Sequence, residues 1–409
     1  MIINLKTKQK NVLLILILGA LNTITPFSID MYLPAFPTIA HDFNTGIDKV
    51  ALSVSTYFLG YSLGQIIYGP LLDRFGRKPP LYVGLILYIL ATIGCFTTNT
   101  IEGLWVIRFM QAIGGCVASV AAMAMVRDFF PVEKSASVIS FLVLILGVSP
   151  LLAPTVGSFI ITTWGWHAVF IALSLITGII LLLVFLFLPE GHVADKTISL
   201  KPIPIINGFK AVLTTPKFYV FALAGTFSFS GLFVYVANSP AIFMGHFNLN
   251  EKLYGAVFAL LSVGFIGGSQ LNHLVTKKFS NQQILTAALI VQTMVAVIFL
   301  IGAVNGWYGL TAVLVLLFAL LSCCGITYPN AAALCMAPFS KNAGTASALL
   351  GFIQIGLGGI ISASVGILPF GEITAMASIM ATTVIIALVI LLSAKNILNK
   401  TILANPAFI

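Results

Sequence analysis

The chain has 409 residues, 59% of them hydrophobic and 8% charged, with a mean hydropathy of +1.09. That composition excludes a soluble globular domain. The formal net charge of +9 would suit a polyanionic partner, but the placement of the basic residues excludes nucleic acid.

About 20 apolar residues cross the hydrocarbon core as one helix. Twelve runs meet that length: 11–36, 50–72, 79–98, 102–127, 135–162, 166–188, 217–243, 252–275, 283–304, 308–336, 343–368 and 371–394. The connections are short except for 189–216. With a cytoplasmic N-terminus and alternating spans, 17 of the 20 Lys and Arg residues fall on one face. Lys49 and Lys252 fall on the other, and Arg108 lies inside a span. Positive residues stay cytoplasmic, so the expectation is a multi-pass membrane protein with both termini inside. The basic start followed by "NVLLILILGALN" also has the form of a signal peptide, but the charge alternation needs it as a retained helix.

Span one ends in "FSIDMYLPAFP" (27–37), which places Asp30 between Pro26 and Pro34. A charged acid at the centre of a lipid-embedded helix costs about 3 kcal/mol, less near the rim. One reading is a solvated acid at the external mouth. Against it, the helix is expected to continue to about Phe36, and Asn22, Pro26 and Asp30 recur every four residues as an inward stripe. A partly desolvated carboxyl there is a candidate proton carrier. The histidines (His41, His167, His192, His246, His273) all fall in loops or at span ends.

Spans two and three are joined by "GPLLDRFGRKP" (69–79). A basic topogenic turn accounts for Arg74, Arg77 and Lys78, but less well for Gly69, Gly76 and Asp73. The arginines can reach Asp128 at the end of span four, making a cytoplasmic latch expected to hold the two halves together on one side and to open in the other state. Span four carries Arg108, the one basic residue inside a span. A guanidinium does not readily deprotonate, so it needs a carboxylate, carbonyls or water; Asp30 is the expected acid partner, with a purely structural ion pair as the alternative. Span five carries "GVSPLLAPTVGS" (147–158), with Gly147, Pro150, Pro154 and Gly157 as a candidate hinge. The five cysteines lie within spans and are expected as small core residues rather than metal ligands or disulfides.

Within the linker, Ile205, Ile206, Phe209, Val212 and Leu213 recur at helical spacing beside Lys210, which predicts a short helix on the cytoplasmic membrane surface. Beyond it the pattern repeats at an offset of 204 residues: Gly60 and Gly64 fall on Gly264 and Gly268, Arg74 on Lys278, Gly147 on Gly351. The expected architecture is all-α and polytopic. It comprises an N-terminal six-helix bundle (1–188), a cytoplasmic linker (189–216) and a C-terminal six-helix bundle (217–409), twelve transmembrane helices in two pseudo-repeats. At the same offset Asp30 becomes Val234 and Arg108 becomes Ala312, so the chargeable chemistry belongs to the first half. The candidate substrate cavity draws on Asn22, Pro26, Tyr32, Tyr57, Tyr61, Tyr235, Asn238 and Gln354, although an aromatic stripe is more often packing. No phosphate-binding loop, HExxH or CxxC occurs. The expectation is therefore a non-enzyme without cofactor, driven by an ion gradient.

These motifs resemble the major facilitator superfamily, and within it the drug:proton antiporters of the bicyclomycin/chloramphenicol-resistance (Bcr/CflA-like) branch. "GPLLDRFGRKP" is similar to the superfamily signature between spans two and three, "RFMQAIGGCVASVAAMAMVRD" (108–128) to its span-four motif, and "GVSPLLAPTVGS" to its antiporter motif. "DMYLPAFP", "NSPAIF", "YPNAAAL" and "NAGTASALLGFIQ" carry the branch-level likeness. The resemblance implies the major facilitator fold and alternating-access export of small amphiphilic drugs against protons, by a monomer. It implies that Asp30 and Arg108 couple protonation to substrate, and that Asp73, Arg74, Arg77 and Asp128 form the latch. Two departures stand out. Ser158 replaces a glycine usual in the span-five motif, and Asn22 stands where some relatives place a second acid. A single acid points to fewer protons per cycle and away from dicationic drugs. A dedicated exporter of a nucleoside, polyamine or amino acid is a second transporter reading; a non-transporting sensor or scaffold is the remote one.

Overall fold

The computed structural model describes residues 7–130, 132–191, 194–195, 202–339 and 343–394. Among them every regular element is helical. The chain divides into two compact units, Met1–Leu200 with Leu249–Ala259, and Lys201–Asn248 with Leu260–Ile409.

The first unit holds α1 (Thr7–Asp30), α2 (Phe36–Asp42), α3 (Ile47–Arg74), α4 (Lys78–Thr97), α5 (Ile101–Phe129), α6 (Val132–Trp164) and α7 (His167–Phe187). The second holds α8 (Pro202–Leu213), α9 (Pro216–Pro240), α11 (Asn281–Val304), α12 (Leu310–Met336), α13 (Ala343–Ser364) and α14 (Glu372–Ser393). α10 (Glu251–Val275) begins in the first unit and continues in the second. Among the described residues, eleven helical segments are long and apolar enough to cross a membrane, the first being Asn11–Asp42. α6 takes the place of the fifth predicted span.

The first span departs from expectation. Instead of one helix to about Phe36, α1 stops at Asp30, and a 3₁₀ turn (Leu33–Ala35) leads into α2. The cause lies in the prolines. Pro34 has no N–H for the carbonyl of Asp30 four residues back, and Pro37 none for that of Leu33. Met31 N still donates to Phe27 O at 3.1 Å, after which Ala35 N donates to Tyr32 O at 3.0 Å in the tighter register. α9 likewise gives way after Pro240, here to a π turn (Ala241–His246).

The offset of 204 residues is visible in the packing. In the first unit α1 packs on α5, α6 and α7, and α4 on α5 and α7; in the second α9 packs on α12, α13 and α14, and α11 on α12 and α14. The paired glycines all stand at close helix contacts. A Cβ on Gly60 would collide with the carbonyl of Phe109, and one on its counterpart Gly264 would crowd the Phe318 ring and carbonyl; a Cβ on Gly64 would meet the Cys116 side chain, and one on Gly268 the carbonyl of Ser322. α8 forms inside the predicted linker and buries Val212 in the core of the second unit.

Candidate functional site

The break in α1 places a carboxylate in the interior. Asp30, the last residue of α1, is 5% exposed and is the one buried carboxylate among the described residues. No described side chain hydrogen-bonds to it, and no guanidinium or ammonium nitrogen among the described residues lies within the 4.0 Å of an ion pair. Asn22, two turns earlier, is also buried and donates to Leu142 O of α6 at 3.4 Å. Pro26 between them is half-buried.

Arg108 is fully buried on α5, yet Asp30 is not its partner. Nη1 donates to Gln111 Oε1 at 2.6 Å, and Nη2 to the carbonyl of Ser28 at 3.0 Å. Its Cζ lies 4.8 Å from the ring centre of Tyr32 and 4.4 Å from that of Tyr57. Each contact has a physical reason. Ser28 is in the last turn of α1, where carbonyls lose their chain donors and the helix dipole is negative. Two π faces attract a desolvated cation. Gln111, one turn along α5, is fixed by donating from Nε2 to Thr92 Oγ1 at 2.8 Å. The guanidinium therefore sits as a cap behind the break that carries Asp30, with Nε left without a partner.

The tyrosines expected around a cavity divide between the units. Tyr32, Tyr57 and Tyr61 are buried in the first: Tyr32 OH pairs with Ser53 Oγ at 3.0 Å, and Tyr61 OH with Ser119 Oγ. Tyr235, Asn238 and Gln354 are buried in the second, where Asn238 Nδ2 donates to Val234 O at 2.9 Å. Sequence reasoning missed Ser28, Thr92 and Gln111, and Tyr88 of α4, whose hydroxyl pairs with Ser28 Oγ. Only Gln111, one turn from Arg108 on the same face, carried a signal. It also missed a neutral network in the second unit, where Ser228 Oγ donates to Gln292 Oε1 at 2.7 Å and pairs with Thr327 Oγ1 at 2.8 Å.

Of the predicted latch residues, Asp73, Arg77 and Asp128 meet one another, within the first unit. Arg77 donates from Nη1 to Asp73 Oδ1 and from Nε to Asp128 Oδ2, both at 2.7 Å. Burial works against its charge, but these bonds outweigh burial and hold the guanidinium above its ordinary range. Gly76 turns the chain with φ +82°, a conformation that favours glycine. Gly69 faces open space. Arg74 lies 5.8 Å from the Phe75 ring. In α6 the helix runs unbroken through half-buried Gly147 and Pro150 and buried Pro154. A Cβ on Gly157 would collide with the backbone of Met31, beside Asp30.

Fold and site together define a multi-pass helical membrane protein of two repeated units with a buried ionisable centre. The family model described as Major Facilitator Superfamily matches residues 18–363, and the chain belongs to that family of transporters. It is 29% identical over 404 residues to a bicyclomycin resistance protein homolog of Haemophilus influenzae, covering 96% of this chain and 99% of that protein. It is 27% identical over 364 residues to multidrug resistance protein D of Escherichia coli, covering 88% and 90%. Among solved structures it resembles a D-xylose-proton symporter with a TM-score of 0.71, covering 92% of this chain and 97% of that one; at 13% identity the likeness shows the fold alone.

Proposed function

We propose that this protein exports small amphiphilic drugs across the bacterial inner membrane in exchange for protons. The observation that carries the reading is Asp30, the one buried carboxylate among the described residues, at the end of a broken helix with a buried guanidinium behind it. The names of the resistance proteins it resembles support drugs as the substrate class.

In this reading Asp30 is the proton carrier and Arg108 its gauge. A neutral Asp30 needs no counter-charge, which agrees with a guanidinium that donates to Ser28 and Gln111 instead. Loss of the proton would leave an anion beside an α1 end that already disfavours negative charge. Arg108 would then be drawn off the Ser28 carbonyl toward it, moving the break. Substrate that enters as the proton leaves completes the exchange without a cofactor. The termini lie inside and the transporter works as a monomer. α8, whose exposed stripe is Ile203, Ile206, Lys210 and Leu213, rests on the cytoplasmic leaflet.

Inside-out vesicles carrying the wild-type protein and a preformed pH gradient test the reading. Single amphiphilic antibiotics are added in turn, and a drug that dissipates the gradient in a protein-dependent way is the expected result. If no drug does so, while the protein is folded and inserted, the proposal fails.

A further inference from the structure

Two consecutive residues of α6 touch two different helices. Gly157 lies against the α1 break, its backbone so near that of Met31 that no Cβ fits between them. Ser158, 3% exposed, donates its hydroxyl to the carbonyl of Glu251, the first residue of α10, at 2.8 Å. Gly255, one turn along α10, makes room for this approach: a Cβ there would stand 3.3 Å from Ser158 Oγ and 3.6 Å from Pro154 O. The first turns of α10 belong to the first unit, and the rest of the helix to the second. A glycine at 158, which the antiporter motif leads one to expect, has no hydroxyl to offer.

We propose that Ser158 is a positioning residue for the transport cycle, whose hydrogen bond fastens the first turn of α10 to α6 and, through Gly157 and the Met31 backbone, ties release of that turn to the state of Asp30. The link is mechanical. Neighbouring residues of a helix move together, separated by about 1.5 Å along its axis. The contact at Gly157 is backbone against backbone and has no slack, so movement at the α1 break is handed to α6. A hydroxyl bond holds from about 2.5 to 3.0 Å between heavy atoms, so a shift of half an ångström or more at Ser158 breaks it. Such an element has two arrangements, bonded and released, which is what a coupling path requires. The proposal rests on Asp30 as the proton site.

Paired spin labels on the full chain, at Thr163 near the end of α6 and Lys252 at the start of α10, both exposed, read the separation as a distance distribution. The five native cysteines are buried. Ser158→Ala and Ser158→Gly are expected to raise the ratio of released to fastened protein about fivefold, the equivalent of one ordinary hydrogen bond. Ser158→Thr, which restores the hydroxyl, is expected to return it toward wild type. An unchanged ratio in both deletion variants overturns the proposal. Asp30→Asn is expected to shift the ratio in wild type and to shift it differently, by more than about twofold, in the Ser158→Ala background, beyond what independent sites show. Equal shifts in the two backgrounds overturn the link. If Asp30→Asn shifts nothing while Ser158→Ala does, the link is overturned; drug-driven proton release that persists in Asp30→Asn is the separate result that would overturn Asp30 as the proton site.

Discussion

Arg108 donates to the carbonyl of Ser28 at 3.0 Å, two residues before Asp30 in the last turn of α1. The contact makes the guanidinium a helix cap as well as a charge, and the planar fork is what reaches both Ser28 and Gln111. Arg108→Lys keeps the charge but loses the fork and the stacking on Tyr32 and Tyr57. Hydrogen bonds to charged groups are worth about 1.5–3 kcal/mol, so transport in vesicles is expected to fall at least about tenfold. Full-rate transport by the lysine variant would show that charge alone suffices.

Gln111→Leu removes the acceptor of Nη1 with little change of volume. The buried guanidinium then has an unpaired nitrogen in addition to Nε. The expected cost is about 1–3 kcal/mol, read as a lower thermal midpoint of the purified protein. Gln111→Glu supplies a carboxylate instead; it is expected to restore the midpoint while slowing transport, because Arg108 is then held by a fixed acid.

Gly157→Ala pushes a methyl group into the Met31 backbone. Overpacking of this kind costs about 1–3 kcal/mol, and here it falls on the break that positions Asp30. Drug export is expected to drop further than protein abundance does, checked by comparing resistance with membrane levels.

At the loop between α3 and α4, the two partners of Arg77 are unequal. Asp128 is 15% exposed and Asp73 51%. A half-exposed pair contributes about 0–1 kcal/mol, so Asp73→Asn is expected to change little. Asp128→Asn weakens the bidentate side and is expected to speed tryptic cleavage at Arg74, Arg77 and Lys78 severalfold.

The membrane class, helix count and repeat were legible because lipid imposes a length and a composition on each span, and because paired glycines recur at one offset. The ion pairs of Arg77 were legible too: Asp73 and Asp128 both meet it within the first unit. The α1 break was missed by the expectation of a helix to about Phe36, although Pro34 and Pro37 announce it. Arg108 was given to Asp30 because charge pairing is the strongest rule visible in a sequence. A backbone carbonyl such as that of Ser28 leaves no mark in the sequence, and neither do the two ring faces that help neutralise the guanidinium. Ser158 was noticed as a departure, but its partner on α10, Glu251, lies 93 residues away and only folding brings them together.

The central claim is that Asp30 gives up a proton when substrate binds. Purified protein in weakly buffered detergent solution, titrated with a transported drug, measures this through a pH indicator. Wild type is expected to release protons in proportion to drug bound, and Asp30→Asn to bind drug without releasing any. Proton release at the wild-type level from Asp30→Asn would contradict the account.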